Sequence, residues 1–251
     1  MTPMQIQWIR HSNFLNQRMN IESSLFYQNN LSADQSVLLL EEDTRKHVIT
    51  VLRMKEGDAF MLTNGKGLSA CATILRIEKK QTFVAVEKLQ EHVRSGMHIS
   101  LGISLLKNNA RFEWMLEKVT ELGVFEIFPL VLERTERQHF RKERFEQIIR
   151  SASLQSEQYL FPALHDPHTM QQLFDRKDLP DDRLIAHCYE SEKYPSSKIT
   201  KPTLLIIGPE GDFTSEELQF AIANQCKPLS LGETRLRTET AAMAGVVLLR
   251  G

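Results

Sequence analysis

The sequence predicts an α/β chain in two parts: a small β-barrel to about residue 94, then a parallel sheet covered by helices. Three observations predict it. Between Phe26 and Val93 several short apolar runs recur at similar spacing, separated by turn residues, as in a closed or nearly closed barrel. Beyond Gly96 the short apolar runs alternate with segments of helical period, as when strands buried on both faces alternate with covering helices. Between the two regimes lies the polar stretch Glu91-His92-Val93-Arg94-Ser95-Gly96, which serves as the boundary.

Residues 1–24 are polar and read as irregular. Val37 to Leu40 is a strand, Thr44 to Leu52 a short helix, and Ala59 to Thr63 a second strand. Asn64-Gly65-Lys66-Gly67 is then a hairpin turn leading into Leu68 to Ile77, with Thr82 to Val86 after Lys79-Lys80. In the second part His98 to Leu106 is a strand. Phe112, Met115, Leu116, Val119 and Leu122 give Arg111 to Leu122 a helical apolar face, closed by Gly123. Phe125 to Phe128 is the next strand, Phe140 to Ser156 a helix and Leu184 to Cys188 a strand.

The carboxyl-terminal stretch organises the rest. Leu204-Leu205-Ile206-Ile207 is a buried strand that stops at Gly208-Pro209-Glu210-Gly211. Thr214 or Ser215 can cap the helix that follows, and Glu216 and Glu217 suit its first turn. Pro228 to Leu231 repeats the scheme: Gly232 ends the strand, and Thr238 or Thr240 opens a helix over Ala241 to Leu249. As ordinary turns, these loops would use Gly208, Gly211 and Gly232 for positive φ. They also carry Glu210, Asp212, Glu233, Arg235, Arg237 and Glu239 among apolar residues, and strand ends of this kind gather ligands.

Composition excludes several classes. At 251 residues with 41% hydrophobic side chains the chain can bury a large core. No apolar run reaches a membrane-spanning ~18 residues, and the amino terminus lacks a signal-type apolar core. The three cysteines, Cys71, Cys188 and Cys226, are far apart and odd in number, which argues against a disulfide framework and for a reduced, cytoplasmic protein. No metal-ligand spacing occurs, no G-x-S-x-G, and neither glycine-rich phosphate cradle. A net charge of −1 confines any nucleic-acid surface to local patches. Those are Arg53 with its basic neighbours and the run holding Arg134, Arg137, Arg141, Lys142 and Arg144. That run reads equally as a solvated helix face. Lys107 ends a strand on the ligand side, whereas Lys118 reads as a solvated partner of Glu117 or Glu121.

GPEGDFTSEE followed by LGETRLRTETAA resembles the carboxyl end of the RsmE family of ribosomal RNA methyltransferases, of the SPOUT class. Two further segments agree in order: Glu117 to Val124 after Lys107, with Pro129 and Arg134 beyond, and His47 to Met54 with Gly57-Asp58. The resemblance covers most of the chain from His47. It implies an α/β SPOUT domain with a C-terminal trefoil knot over residues 95–251. Before it, over residues 25–94, it implies a PUA-like β-barrel that binds RNA. It further implies a homodimer that methylates N3 of a uridine in 16S rRNA of the small ribosomal subunit. The S-adenosylmethionine would lie against Ile207, Gly208, Pro209, Glu210 and Gly211, against Leu231 and Gly232, and against Leu236, Arg237, Thr238 and Thr240. One departure stands out: a Gly-Arg pair usual in the family is absent after Gln155-Ser156, where Tyr159 is available to stack on a base or to fill a core.

Uridine N3 is a poor nucleophile until it loses its proton, so a base and a fixed cation would both help. Arg237 is the expected cation and Glu210 the expected base, although Glu210 can instead cap its own loop. Arg53, Lys107, Arg134, Arg141, Lys142 and Arg144 are the expected RNA contacts. Two other readings stay open: an RNA-binding protein that keeps the fold without the chemistry, and a dinucleotide-dependent enzyme. The second needs a glycine-rich first turn that LGISLLKNNARF does not supply.

Overall fold

The computed structural model describes residues 24–94, 98–136, 139–188 and 199–250. It forms two compact units. One comprises the described residues up to Val93 together with Glu157–Leu160; the other comprises the described residues from Arg94 to Ser156 and from Phe161 on. The irregular segment expected before residue 24 lies outside the described residues, as does Arg137.

In the first unit, β1 (Leu25–Tyr27), β2 (Val37–Leu39), β3 (Ala59–Thr63), β4 (Leu68–Ile77) and β5 (Thr82–Glu91) form one sheet in the order β1-β3-β4-β5-β2. All pairs are antiparallel except β1 with β3. No ladder joins edge strands β1 and β2 among the described residues; the fully buried Gln28 ties them together. Its Nε2 donates to the Leu39 carbonyl at 3.2 Å and its Oε1 accepts from the Glu41 N–H at 3.1 Å. Phe26, Leu38, Val48, Phe60, Leu62, Ile74 and Val84 fill the interior. The helix expected over Thr44 to Leu52 is a single α turn, α1 (Glu42–Arg45), that widens into a π turn over Lys46–Val51.

Glu157–Leu160 completes this unit. The Tyr159 carbonyl accepts from the Gly67 N–H at 2.9 Å, and the Tyr159 ring stacks on His92 with centroids 3.9 Å apart. The ring considered for base stacking is thus covered on one face by a histidine.

The second unit is built on a six-stranded parallel sheet. Its strands are β6 (Ile99–Ser104), β7 (Glu126–Leu130), β8 (Ala163–Leu164), β9 (Asp182–Ala186), β10 (Thr203–Ile207) and β11 (Cys226–Leu229), in the order β11-β9-β10-β6-β7-β8. The helices are α2 (Asn109–Glu121), α3 (Lys142–Gln155), α4 (Met170–Phe174), α5 (Ser215–Ala223) and α6 (Thr238–Arg250).

Side-chain alternation sorts the helices onto two faces. Leu205 and Ile207 of β10 pack with α2, α3 and α6, through residues such as Phe112, Phe145 and Val246. Leu204 and Ile206 pack on the opposite face with Leu173 of α4 and Ala221 of α5. This two-sided burial is why β10 is apolar without alternation. Burial also pushes the Cys226 thiol up to about 12, so it packs as a small apolar group.

Two glycines of the first unit separate backbone strain from steric strain. Gly57 has φ 91° with nothing within 4 Å of an added Cβ; Gly67 has φ 99°, and a Cβ there would lie 2.6 Å from the His92 carbonyl oxygen. Gly57→Ala is expected to cost about 1–2 kcal/mol in denaturant unfolding, the scale of left-handed strain alone. Gly67→Ala should cost clearly more, because the rigid carbonyl must also move. Equal losses would contradict the close approach.

Candidate functional site

The site is built at the carboxyl ends of neighbouring parallel strands. β10 is buried along its whole length and ends at Ile207. Thr214 then caps α5 with a reciprocal pair: its Oγ1 accepts from the Glu217 N–H at 3.2 Å, and Glu217 Oε2 accepts from the Thr214 N–H at 2.9 Å. Between strand and cap, Phe213 folds back, and a Cβ on Gly208 would lie 2.9 Å from its ring.

Of Gly208, Gly211 and Gly232, only Gly232 adopts the positive φ expected of all three, at 117°. The left-handed residue of the β10–α5 loop is instead Asp212, at φ 62°. Its carboxylate compensates locally: Oδ1 accepts from the Phe213 N–H at 2.9 Å and Oδ2 from the Cys188 N–H at 2.8 Å. The second bond fixes this loop to the end of β9.

A cleft of about 370 Å³ opens where β9, β10 and β11 end, within the range of small-ligand sites. Its walls are Ala186 to Cys188 after β9, Ile207 to Glu210 with Asp212 after β10, and Leu229, Leu231 to Thr238 and Ala241 after β11. Nine of the residues expected at a donor site line it: Ile207, Gly208, Pro209, Glu210, Leu231, Gly232, Leu236, Arg237 and Thr238.

Gly211 and Thr240 do not line it. A Cβ on Gly211 would meet the Arg134 side chain at 3.3 Å, so that glycine admits an arginine. Thr240 follows Thr238 by two residues, about 200° around α6, whereas Ala241 returns to the cleft side. Residues 186–188 were not foreseen. Their strand was legible, but not that it inserts between β11 and β10.

Charge at the rim is organised by Arg111, which the sequence reading overlooked. Its Nε and Nη2 donate to the two oxygens of Glu239 at 2.8 and 2.7 Å, and its Nη1 lies 3.6 Å from Glu210 Oε1. Glu239 is buried at the start of α6, where a carboxylate also suits the helix dipole. The Glu210 carbonyl accepts from Arg235 Nη2 at 3.0 Å. Arg237 is exposed at the cleft, and its guanidinium has no hydrogen bond or ion pair among the described residues.

Most of the expected RNA contacts are engaged within the protein. Arg134 donates to the carbonyls of Gly211 and Phe213 at 2.8 and 3.1 Å, bracing the β10–α5 loop. Lys107 pairs with Glu136 at 2.7 Å, Lys142 with Asp166 at 2.8 Å, and Arg144 and Arg141 with Glu113 at 2.9 and 4.0 Å. Hydrogen bonds donated to these acids raise the pKa of Lys107, Lys142 and Arg144. The bare basic strip suggested by composition is therefore a set of exposed ion pairs. Arg53 differs: it is exposed, held at φ 55°, and makes no ion pair among the described residues. Lys118 pairs with Glu117 and Glu121, the solvated role expected of it.

Among the described residues no His, Cys, Asp and Glu cluster could hold a metal ion, and no helix is long and apolar enough to cross a membrane. A parallel sheet with a concave, partly apolar cleft at its carboxyl edge, and a carboxylate and a guanidinium at the rim, is an enzyme-type α/β site. A family model described as an RNA methyltransferase domain matches residues 93–250, and one described as an RNA methyltransferase PUA domain matches residues 40–87. The chain belongs to this RNA methyltransferase family.

A Ribosomal RNA small subunit methyltransferase E of Buchnera aphidicola is 29% identical over 90% of this chain and 92% of its own length. A crystal structure described as a probable rRNA-methyltransferase from Porphyromonas gingivalis has a TM-score of 0.80 at 34% identity, covering 89% of this chain and 95% of that one. A Neisseria gonorrhoeae Ribosomal RNA small subunit methyltransferase E bound to S-adenosyl methionine has a TM-score of 0.76 at 26% identity, covering 89% and 95%.

The role of Asp212 is directly testable. Asp212→Ala removes both carboxylate bonds and places alanine in a left-handed conformation, an expected cost of about 2–4 kcal/mol in denaturant unfolding. Asp212→Asn keeps one acceptor and tolerates that conformation, so it should cost less than half as much. Equal losses would mean that the carboxylate bonds do not hold the loop.

Proposed function

We propose that this protein transfers a methyl group from S-adenosylmethionine to N3 of a uridine in 16S rRNA of the small ribosomal subunit. The observation that carries the proposal is that Glu210 and Arg237 line the same cleft, Arg237 with a guanidinium that makes no hydrogen bond or ion pair among the described residues. The cleft suits the donor on its own chemistry. Ile207, Leu229, Leu231 and Leu236 offer apolar walls to an adenine, Gly208 lines the cleft and Gly232 is exposed at it, and Glu210, Asp212 and Glu233 complement a cation. A dinucleotide fits less well, since the cleft has no glycine-rich phosphate cradle. When bound, S-adenosylmethionine supplies an electrophilic methyl group on a sulfonium centre.

The protein's own residues then have separable tasks. The strand-end loops hold donor and acceptor in line, which lowers the entropic part of the barrier. The Glu210 carboxylate would accept the N3 proton, and the N3 electron pair would form the new bond to the methyl carbon as that carbon's bond to sulfur breaks and the sulfur leaves as a neutral thioether. Arg237 faces the charge that develops on the uracil ring and cannot lose its own. Arg53 contacts RNA phosphate from the PUA-like unit. Lys107, Arg141, Lys142 and Arg144 add weaker contacts, already offset by their acids, while Arg134 acts through the loop it braces.

Finer features belong to the same proposal. The last strands and α6 are threaded as a trefoil knot of the SPOUT type, and the enzyme works in the cytoplasm as a homodimer. Exposed Trp114 on α2 and Val247 and Leu248 on α6 support self-association. The 25–94 and 95–251 division stands as the working assignment of RNA-binding and catalytic regions.

Single-turnover methylation of small-subunit particles, run beside calorimetric titration with S-adenosylmethionine, tests the assignment. Arg237→Ala should slow the step about a hundredfold, the scale for removing one electrostatic stabiliser, with donor affinity changed far less. Arg237→Lys should recover only part of the rate, because a point charge does not replace a planar fork. Arg53→Ala should leave the bound-state rate intact, weaken particle binding and reduce its salt dependence by roughly one counterion. Loss of donor binding in step with loss of rate in Arg237→Ala would remove Arg237 from the chemistry.

A further inference from the structure

We propose that Arg111 is the positioning residue of this site, holding Glu210 and Glu239 at a fixed spacing so that Glu210 and Arg237 face the same opening. The inference rests on the methyl-transfer reading for what the spacing achieves, but not for the spacing itself. Three observations carry it. First, the geometry is a shared fork: two donors of one guanidinium take both oxygens of Glu239, and the remaining edge faces Glu210 at 3.6 Å. Second, the anchor is firm on one side only. The Glu239 side chain is 8% exposed and that of Glu210 is 41% exposed, so the buried carboxylate fixes the arginine while the outer one remains able to turn towards the cleft. Third, Arg111 is itself fixed. It stands in the first turn of α2, where the Asn108 side chain accepts from the N–H groups of Ala110 and Arg111 at 2.9 and 3.3 Å.

Topology gives the contact its place. β6 and β10 are adjacent, and the chain leaves them in opposite directions: β6 leads through α2 to β7, and β10 through α5 to β11. Ligands gather at such a switch point. Arg111 comes from the β6 side, Glu210 from the β10 loop and Glu239 from the helix after β11. Without the arginine, the β10 loop and the start of α6 would lose their shared reference. Arg237, two residues before Glu239 in sequence, would lose its register with Glu210. Arg111 does not line the cleft, so it acts through these two carboxylates.

The test must separate positioning from plain stability. Arg111→Met alone strands a buried carboxylate and is expected to lower Tm, which a structural role would also do. The informative variant is Arg111→Met/Glu239→Leu, because replacing both partners of a buried pair by apolar groups often restores stability. Two readouts follow: amide hydrogen exchange of residues 210–213 and 237–240 in the ligand-free protein, and the single-turnover methylation rate at saturating donor. The expected result is a Tm near wild type, exchange in those segments at least tenfold faster with β10 unchanged, and a rate at least tenfold lower.

Wild-type exchange together with wild-type rate in the double variant would overturn the proposal and leave Arg111 a stability residue. If the double variant does not fold, Arg111→Lys takes its place. It keeps one charge but cannot span both carboxylates, so it should show the same faster exchange at wild-type Tm; unchanged exchange would again overturn the proposal. If wild-type protein methylates nothing, the functional reading fails, yet the exchange measurement still decides whether Arg111 sets the spacing.

Discussion

The site depends on the burial of β10 on both faces. Each face of this strand packs into a different core, with α2, α3 and α6 on one side and α4 and α5 on the other. A strand so enclosed can present functional groups only at its end, because any polar side chain along it would need a buried partner. The chain therefore concentrates its exposed chemistry in the residues after Ile207. β9 and edge strand β11 are less enclosed and carry Asp182, Arg183 and Lys227 along their length, yet the three ends converge on one cleft. The close packing extends to α6, where a Cβ on Gly245 would lie 2.7 Å from Leu205, so the helix that carries Glu239 sits directly over the strand.

Around that cleft the polar groups divide into those that hold and those that remain available. Asp212 fixes the β10 loop to β9, Arg134 braces the same loop through two carbonyls, and Arg111 engages Glu239. Each is a charge-assisted contact to a group with few alternatives, the kind that makes a loop rigid. Arg237 is not used this way, and Glu210 is engaged only at 3.6 Å. A group proposed to face transition-state charge should not be neutralised by its neighbours, and the Arg237 guanidinium has no ion pair among the described residues.

Legibility in the sequence followed the range of the forces involved. The Ala59–Thr63 and Leu68–Ile77 strands were readable because the intervening Asn-Gly turn is a local signal. Thr214 was readable as a cap because its partner Glu217 lies three residues away. Asp212 was not, because glycine is the usual left-handed residue and the Cys188 N–H that rewards aspartate is 24 residues distant. Arg111 was invisible as a site residue for the same reason, with Glu239 128 residues away. Basic residues along the chain suggested a phosphate surface; the fold brings Glu113, Glu136 and Asp166 beside them. Motif resemblance, not periodicity, supplied the chemistry, and it placed nine of its eleven donor residues on the cleft wall while Gly211 and Thr240 fell outside.

The central claim is that this cleft directs a methyl group to one base nitrogen of small-subunit RNA. Mass analysis of nucleosides from 16S rRNA, prepared from cells with and without the protein, addresses it most directly. The account predicts one N3-methyluridine present with the protein, lost without it, and restored by adding purified enzyme and S-adenosylmethionine to the deficient particles. An unchanged set of modified nucleosides, or loss of a methyl group from a ribose oxygen or another base, would contradict it.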